Sequence, residues 1–323
     1  MDSRDASGPQ MRGWGRYARE LATALRQRTD LELRPLEGAG WRGPEALWEQ
    51  IGFPRAARGV DVLHAPSVFL PLRRPCPGVV TIHDLAFEVY PDDFVPRTRA
   101  KFRWLAPRAA RSAQLVLCDS VFTRDDVCTR YGVDPGKVRV VPLAPSLPIG
   151  DAPVEDSRGP YLLGVGDLRA KKNWGRLAQA WRGLDTGHRL VIAGVDSGEG
   201  DALRAAGVEL PGYVDDAGLD ALMRGADVLV HPSLYEGFGL VVAEAMARGT
   251  PVAAARGTSL TEAGGDAAVY FDPLDVDAIG AAITEALTLT SALRTRGLAR
   301  AAELSWARTA ELTTAVYREA AAR

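Results

Sequence analysis

Short runs of apolar, often β-branched residues alternate along the chain with longer stretches in which apolar positions recur at helical spacing. In the first half the apolar runs predict strands at residues 60–64, 79–83, 115–118 and 138–141. The stretches between them predict helices at residues 15–26, 45–58, 97–111 and 122–131. Apolar strands separated by amphipathic helices are typical of parallel sheets that are covered on both faces.

The second half of the sequence shows the same alternation. Strands are predicted at residues 161–165, 190–193, 227–231, 252–255 and 269–271, and helices at 174–181, 217–224, 240–247, 275–289, 291–304 and 306–321. Between the halves, residues 145–160 are rich in Pro, Ser, Gly and Asp and lack apolar periodicity, which marks a boundary. The pattern therefore predicts two Rossmann-like halves, with ligands bound beyond the carboxyl ends of the strands in a cleft between them.

Composition narrows the class of protein. The 323 residues are 46% hydrophobic and 25% charged, which is ordinary for globular domains and suits two of them. No apolar run reaches the roughly 18–20 residues of a membrane span, and the first residues lack the apolar core of a secretory signal. The cysteines, Cys76, Cys118 and Cys128, are too scattered for a disulfide framework or a metal site, so a reducing, cytoplasmic location is expected.

The net charge of −2 hides an asymmetry, because residues 1–150 carry +5 and residues 151–323 carry −7. Neither value is the strong basic excess of a nucleic-acid-binding domain, so no nucleic-acid partner is expected. The segment Arg97–Arg111 carries six basic residues together with Phe102, Trp104 and Leu105. It predicts either a solvated basic helix or a peripheral contact with the inner face of an anionic membrane.

The stretch HPSLYEGFGLVVAEAMARGTP, which starts at His231, carries the clearest chemistry. A strand ends near His231, a glycine-rich loop follows, and a helix begins near Leu240, so backbone N–H groups and a helix N-terminus could hold a phosphate. A carboxylate such as Glu244, one turn inside the helix, suits a vicinal diol. By spacing alone, a strand–turn–helix with two solvated glutamates explains the stretch equally well. Its candidate residues are Glu236, Gly237, Phe238, Gly239, Leu240 and Glu244.

Three further segments each allow a chemical and a plain structural interpretation. Lys171 and Lys172 precede a helix, where they could offset diphosphate charge or form a solvated basic turn. His83 ends a buried strand, as a site residue or as a hydrogen-bonded structural histidine, and Asp84 could orient its imidazole or the loop. Residues 13–17, GWGRY, open the first helix, either as a plain helix start or as a close-approach turn.

Taken together, these motifs resemble those of the GT-B retaining glycosyltransferases of family 4, including a mannosyltransferase-like group. Glu236 and Glu244 occupy the two positions of the family's E-x7-E signature. The segment GVGDLRAKKN is similar to the family's G-x-L-x-x-R-K-N motif, and Lys172 occupies the position of its phosphate-contacting lysine. The segment VVTIHDL places His83 where members carry a histidine that contacts the donor sugar.

The resemblance implies an α/β GT-B fold in which two Rossmann-like domains face each other across a cleft. The N-terminal, acceptor-side domain would span residues 1–148, with a C-terminal helix at 306–323 packing back on it, and the nucleotide-sugar domain would span 149–305. It implies retaining transfer of a hexose from a nucleotide-diphosphate sugar, GDP-mannose first and a UDP-sugar next, to a hydroxyl of a glycan, a lipid-linked or a small-molecule acceptor. No metal or other cofactor is expected.

Two rival functions stay open from the sequence. One is a non-catalytic nucleotide-sugar-binding partner of another transferase. The other is a Rossmann dehydrogenase, which is disfavoured because position 169 is Arg where the third glycine of G-x-G-x-x-G belongs. The oligomeric state is not indicated by any pattern in the sequence.

The resemblance also assigns roles to individual residues. His83 and Glu236 would be catalytic, and Glu244 would accept from the ribose hydroxyls. Lys172, with Arg169, would hold the diphosphate, and the backbone near Tyr213 would meet the nucleobase. The remaining donor residues are Gly237, Phe238, Gly239 and Leu240, and those near the acceptor are Gly13, Gly15, Arg16, Tyr17 and Asp84.

One departure from the family pattern concerns the start of the sequence. Asp2–Arg4 looks like the residues that follow the family's first β-strand, and no such strand precedes them here. A parallel sheet without that strand is expected to expose edge or core surface.

Overall fold

The computed structural model describes residues 1–4, 13–36, 38, 41–150 and 159–323. The chain divides into two compact units, Met1–Leu143 with Ser305–Arg323, and Ala144–Leu304. The division lies a few residues before the boundary at position 148 that the sequence predicts. Much of the predicted linker, residues 151–158, lies outside the described residues.

The first unit contains a four-stranded parallel sheet in the order β1-β2-β3-β4, and all but the last strand are buried throughout. Its strands are β1 (Leu63–Ala65), β2 (Gly78–Ile82), β3 (Leu115–Cys118) and β4 (Val138–Val140). Its helices before the second unit are α1 (Gly13–Arg26), α2 (Glu45–Leu47), α3 (Phe53–Ala56), α4 (Ala86–Val89), α5 (Pro96–Ser112) and α6 (Val121–Tyr131).

The second unit contains a six-stranded parallel sheet in the order β10-β9-β8-β5-β6-β7. Its strands are β5 (Tyr161–Val165), β6 (Arg189–Ala193), β7 (Glu209–Gly212), β8 (Val228–His231), β9 (Val252–Ala255) and β10 (Val269–Phe271). Its helices are α7 (Trp174–Arg182), α8 (Gly200–Ala205), α9 (Asp216–Gly225), α10 (Leu240–Ala247), α11 (Leu260–Gly264), α12 (Val276–Thr288) and α13 (Thr290–Glu303). The chain order reverses between β5 and β8, which lie side by side, so the switch point of this sheet lies there.

The last helix, α14 (Trp306–Ala322), belongs to the first unit, as the resemblance implies. Val316 and Ala320 of α14 join the buried cluster on the sheet that includes Val79, Leu115 and Leu117. The Thr309 hydroxyl donates to the carbonyl of Pro142, 2.8 Å away. The C-terminal helix therefore completes the core of the N-terminal unit.

The continuous helix predicted over residues 45–58 is wrong. The segment forms α2, a π-helical turn at Trp48–Gly52 and then α3. The N–H of Phe53 donates to the carbonyl of Trp48, and Pro54, which has no N–H, occupies the first turn of α3. A Cβ at Gly52 would lie 2.5 Å from the Trp48 ring, so the absence of a side chain at Gly52 leaves room for that indole.

The sequence did not predict strand β7 or helices α4, α8 and α11. β7 reads Glu-Leu-Pro-Gly and lies at one edge of its sheet, where none of its residues is fully buried. A proline and a glycine are tolerated at an edge because no neighbour on that side needs their N–H groups. An apolar run, the signal used for the other strands, is therefore missing from β7.

The described residues before α1 form a single parallel bridge, Asp2 with Leu36, and no strand. The N–H of Asp2 donates to the carbonyl of His64 (3.0 Å), and the N–H of Leu36 donates to the carbonyl of Met1 (2.9 Å). Beside this bridge a cavity of about 380 Å³ lies between residues 30–36 and 59–64, against Tyr317 of α14. Met1, Asp2 and Ser3 are buried here, and the expectation of exposed edge or core surface stays a prediction.

Among the described residues, no single helix is both long enough and apolar enough to cross a membrane.

Candidate functional site

At the switch point of the second unit, the loops that follow β5 and β8 are tied to each other. The N–H of Leu234 donates to the carbonyl of Lys171 (2.8 Å). The side-chain amide of Asn173 donates to the carbonyls of Pro232 (3.2 Å) and Pro273 (2.7 Å). Asn173 adopts a left-handed conformation with φ 61°, which asparagine tolerates better than most residues. Sequence reasoning gave Asn173 no role, although it fixes the geometry of the lysine turn.

Lys172 and Glu236 meet at the centre of these two loops. The Lys172 Nζ donates to Glu236 Oε1 at 2.6 Å, and the side chains are only 12% and 14% exposed. The lysine side chain crosses Gly166, where a Cβ would lie 2.9 Å from Lys172 Cε and φ is +143°. The motif GVGDLRAKKN thus has a steric reason for its second glycine.

His231, the last residue of β8, is a third member of this cluster that sequence reasoning missed. Its Nε2 lies 3.1 Å from Glu236 Oε1, so Nε2 carries the proton and donates to the carboxylate. Among the described residues no partner is found for its Nδ1, and the residue is 1% exposed. A histidine that ends a strand at a switch point, five positions before the loop carboxylate, is a signal that the sequence does contain.

The charges of the cluster shift the pKa values in a consistent way. Burial by itself would raise the pKa of Glu236, but Lys172, with Lys171 and His231, holds it well below its usual range. Burial lowers the pKa of His231, and the nearby Lys172 lowers it further against the pull of Glu236. At neutral pH the cluster therefore contains an ionised glutamate and a neutral imidazole beside Lys172.

The loop at residues 236–239 delivers the chain to the N-terminus of α10. Gly239 has φ +98°, and a Cβ there would lie 2.7 Å from the Leu260 side chain. The Ser259 hydroxyl donates to the carbonyl of Glu236 (2.7 Å), and the ring of Phe238 is buried. The first N–H groups of a helix lack partners within the helix, so Leu240, which begins α10 after the N-cap Gly239, lies where backbone can bind an anion. The role of Gly237 toward a donor stays a prediction.

Glu244 is 5% exposed, which excludes the interpretation that both glutamates are solvated. Its Oε1 accepts from the N–H groups of Ser146 (3.0 Å) and Leu147 (3.1 Å). Arg248, four residues later in the chain, donates to the Glu244 carbonyl (2.8 Å) and binds Asp220 Oδ1 through Nε (2.8 Å). The carboxylate predicted to bind ribose therefore holds a backbone segment in this structure, and its ribose role stays a prediction.

The other two predicted donor residues follow β5 and β7. Arg169 forms an ion pair with Asp167, with 3.3 Å between Nη2 and Oδ2. Tyr213 follows β7, two strands away from β5, and 55% of its surface is exposed. Their roles toward a donor stay predictions.

In the first unit, His83 follows β2 and is held by a partner that the sequence did not predict. Its Nδ1 lies 2.6 Å from Asp119 Oδ2, and its Nε2 lies 3.0 Å from the carbonyl oxygen of Pro66. Asp84 accepts instead from the N–H of Ala86 (2.9 Å), so it holds the loop and does not hold the imidazole. Because β2 and β3 pair with Ile82 opposite Cys118, the residues that follow them, His83 and Asp119, come together.

Residues 13–17 form the first turn of α1 and not a separate turn before it. Gly15 is buried there, Gly13 begins the helix and Arg16 is half-buried. The ring of Tyr17 meets the His83 imidazole edge-on, with 4.6 Å between centroids, and its hydroxyl lies 3.0 Å from Thr81 Oγ1. The predicted residues His83, Tyr17 and Asp84 are thus neighbours at one end of the first sheet.

The Thr81 hydroxyl extends this contact into a buried chain. It lies 2.8 Å from Nε2 of His64, whose Nδ1 lies 2.6 Å from the hydroxyl of Tyr317. Burial lowers the pKa of His64 well below its usual value, so this second histidine is neutral. Residues from α1, β1, β2 and α14 are therefore joined behind His83.

Over the part of the chain that the structure describes, no group of three His, Cys, Asp or Glu side chains is placed to hold a metal ion.

Comparison with known proteins matches both units to glycosyltransferase families. Residues 11–144 match the family model described as Glycosyltransferase Family 4, and residues 159–288 match the model described as Glycosyl transferases group 1. The O-antigen chain mannosyltransferase B of Escherichia coli is 33% identical over 272 residues, which cover 76% of this chain and 71% of that protein.

Solved structures agree at the level of the fold. Sucrose-phosphate synthase from Thermosynechococcus elongatus superposes with a TM-score of 0.74 at 22% identity, covering 98% of this chain and 96% of its own. HepE from Anabaena, solved with UDP-glucose, gives a TM-score of 0.64 at 19% identity, covering 83% and 80%. Each unit is Rossmann-like and contains a parallel sheet, both family models match, and a mannosyltransferase is 33% identical over most of the chain. The chain therefore belongs to the family 4 glycosyltransferases of the GT-B fold.

Proposed function

We propose that this glycosyltransferase moves a hexose from a nucleotide-diphosphate sugar to a hydroxyl of a glycan, a lipid-linked or a small-molecule acceptor, with retention at the anomeric carbon. GDP-mannose is the first candidate donor and a UDP-sugar the next. The Lys172–Glu236 pair, next to the N-terminus of α10 at the sheet switch point, carries the proposal. The relationship to a mannosyltransferase supports the mannose donor, and the UDP-glucose complex of HepE supports the alternative.

The cluster suits a leaving diphosphate because the diphosphate can replace Glu236 as the partner that neutralises Lys172. Lys172 donates to Glu236 at a site where both side chains are partly exposed. A diphosphate over the N-terminus of α10 would compete for Lys172. Glu236 would then be free to accept from a hydroxyl of the sugar, held in place by the Nε2–H of His231.

Ribose binding at Glu244 would require an exchange as well. The carboxylate already accepts from the backbone of Ser146 and Leu147, and a vicinal diol can take over or share these bonds. The Arg248–Asp220 pair beneath Glu244 has Arg248 fully buried, so it fixes the backbone of α10 during that exchange. We expect diol recognition to cost part of the contact between Glu244 and residues 146–147.

No metal is proposed for the donor reaction. Lys172 and the N-terminal N–H groups of α10 supply positive charge where the diphosphate would lie. Turnover with excess EDTA tests this point: unchanged rates support it, and rates restored only by Mg²⁺ or Mn²⁺ contradict it.

We propose that the protein is cytoplasmic and that α5 makes a peripheral contact with the inner face of a membrane. Trp104 is 52% exposed, and the Arg108 guanidinium stacks 4.5 Å from its ring centroid. Arg99 and Arg103 are neutralised by Asp92 and Glu88, so fewer cations are uncompensated than the six in the sequence imply. Co-sedimentation with anionic vesicles that Trp104→Ser abolishes supports the contact, and equal binding to neutral vesicles contradicts it.

The first test of function is a thermal-shift panel of GDP, UDP, ADP and dTDP with EDTA present, because a ligand that binds only the folded state raises the midpoint. One diphosphate is expected to give a clear shift that Lys172→Met removes. Turnover of the matching nucleotide sugar, with the anomer assigned by proton NMR, then tests transfer and retention. Binding without turnover on a broad acceptor panel would instead favour a non-catalytic partner of another transferase.

A further inference from the structure

Both ring nitrogens of His83 face hydrogen-bond acceptors. Nδ1 lies 2.6 Å from Asp119 Oδ2, and Nε2 lies 3.0 Å from the carbonyl oxygen of Pro66. A backbone carbonyl never donates, and an ionised carboxylate cannot donate either. With Asp119 ionised, each ring nitrogen must carry a proton for both bonds to form, which makes the ring an imidazolium.

The surroundings of His83 leave Asp119 as its main counter-charge. The Asp119 side chain is 4% exposed, whereas 20% of the His83 side chain is exposed. Asp84 adds a weaker negative charge next to it, Tyr17 packs on the ring, and the neutral His64 lies beyond Thr81. Burial by itself would lower the pKa of His83, but Asp119, the Pro66 carbonyl and Asp84 together raise it.

Asp84, the second acidic neighbour of His83, and the phenol of Tyr17 do not compete for the second proton of the imidazole. Asp84 accepts from the N–H of Ala86, on the loop. Burial, and then the charge of Asp119, raises the pKa of Tyr17, so its phenol keeps its own proton. Burial raises the pKa of Asp119, and His83 opposes that change, as expected for a carboxylate that shares a short bond with a cation.

We propose that Asp119 is a positioning residue that keeps His83 doubly protonated, so that His83 meets the substrate as a hydrogen-bond donor and a fixed positive charge. With both nitrogens protonated the ring has no lone pair for a proton, so His83 does not act as a base. A substrate oxygen can take the Nε2–H from the Pro66 carbonyl. The substrate in this inference is the one given under the proposed function, while the protonation state is a property of the free protein.

The protonation state can be measured without any substrate. The chain has four histidines, and nitrogen NMR of ¹⁵N-labelled histidine separates doubly from singly protonated rings, with His83→Gln assigning the signal. His83 is expected to stay doubly protonated at pH 7.5 in the wild type and to become singly protonated in Asp119→Asn. Asp125→Asn, which removes an exposed carboxylate from α6, is the control and should leave His83 unchanged.

A singly protonated His83 in the wild type at this pH overturns the proposal, as does an Asp119→Asn variant with an unchanged titration. If Asp119→Asn does not fold, Asp119→Glu keeps the charge at a changed distance. His83 is then expected to remain doubly protonated in that variant, and loss of the second proton there contradicts the assigned role of the carboxylate.

The catalytic consequence is read from pH profiles. In the wild type kcat should fall as pH rises through the raised pKa of His83. In Asp119→Asn the falling limb should move to lower pH by about one unit or more, and kcat at neutral pH should drop by about 10²-fold. Asp119→Asn should add nothing further in the His83→Gln background.

The experiments distinguish a failure of the Asp119–His83 proposal from a failure of the proposed function. A uniform loss of kcat in Asp119→Asn with an unmoved pH limb means that Asp119 is only structural, and it overturns the inference. Absence of turnover in the wild type with every nucleotide sugar contradicts the proposed function but leaves the NMR result to decide the protonation of His83.

Discussion

The two histidines at the candidate sites, His83 in the first unit and His231 in the second, are held in opposite protonation states. His83 faces a carboxylate and a carbonyl, whereas His231 faces a carboxylate already paired with Lys172 and has an unpartnered Nδ1 among the described residues. The pKa of His83 is raised and that of His231 is lowered, although burial opposes the proton in both. The difference indicates that the partner of the second ring nitrogen and the nearest cation set the charge of these two histidines.

The largest effect is expected from removing the carboxylate that His231 and Lys172 share. Glu236→Gln should lower kcat by about 10²–10³-fold because a charged acceptor at the sugar is lost. Diphosphate affinity should be kept, since Lys172 is no longer neutralised. Steady-state kinetics and calorimetric titration with GDP and UDP check both parts.

Glu285→Gln, on an exposed face of α12, is the matched control and should behave as the wild type. Loss of diphosphate binding together with turnover in Glu236→Gln would mean that the glutamate shapes the loop and does not act on the sugar.

Removing the cation should bring the two histidines closer in behaviour. In Lys172→Met the pKa of His231 should rise, because the charge that lowers it is gone while Glu236 remains. Diphosphate binding should weaken by about tenfold or more, since a charge-assisted hydrogen bond is worth about 1.5–3 kcal/mol. Histidine NMR and calorimetry measure the two quantities.

Lys137→Met, in the first unit, serves as the control for loss of one lysine charge. An unchanged titration of His231 in Lys172→Met would show that burial alone lowers its pKa.

The support behind His83 can be weakened without touching its charge. Thr81→Val removes the hydroxyl that lies between Tyr17 and His64, both of which are buried. The free energy of unfolding of the first unit should fall by about 1–3 kcal/mol because buried polar groups lose their partner. Urea denaturation followed by tryptophan fluorescence measures it.

Thr98→Val, on an exposed position of α5, should leave the midpoint unchanged. Equal stability of Thr81→Val and the wild type would indicate that Tyr17 and His64 find other partners.

The smallest effect is the pH dependence of stability, and its sign differs between the units. The folded-state pKa of His83 is raised, so its contribution is complete below about pH 6.5, the unfolded value, and is lost as pH rises through the folded value. The folded-state pKa of Glu236 is lowered, so its contribution is present above about pH 4.3 and is lost as pH falls through the folded value.

Each unit of pKa shift is worth about 1.4 kcal/mol. Urea midpoints across pH 3–9 should therefore decline at both ends of the range. Asp119→Asn should flatten the alkaline decline and Glu236→Gln the acidic one. A variant that flattens the opposite limb would contradict the assignment of charges.

Much of the fold is determined by local sequence. The apolar runs at β3, β5, β9 and β10 and the helix α10 have the predicted bounds, because a buried parallel strand needs apolar residues on both faces. The loop before α10 was also predictable, since Gly239 needs a left-handed backbone. Lys172 and Glu236 were assigned to one site, and the structure brings them together.

Tertiary structure decided the partners. Asp119 lies 36 positions from His83 in the chain, and only the pairing of β2 with β3 makes them neighbours. Sequence reasoning considered only the adjacent Asp84, either for the imidazole or for the loop, and the structure places it on the loop. Glu244 was expected to face solvent or ribose, yet the fold supplies the N–H groups of residues 146–147. The edge strand β7 has no apolar run to reveal it, because an edge needs no buried second face.

The sequence by itself determined which residues lie at the ends of the strands, because burial and backbone geometry restrict the residue types at those positions locally. The tertiary structure decided which of these residues pair and so which are charged. A proton on His83 or His231 depends on groups within a few ångströms, and in a parallel sheet these come from strands far apart in the chain.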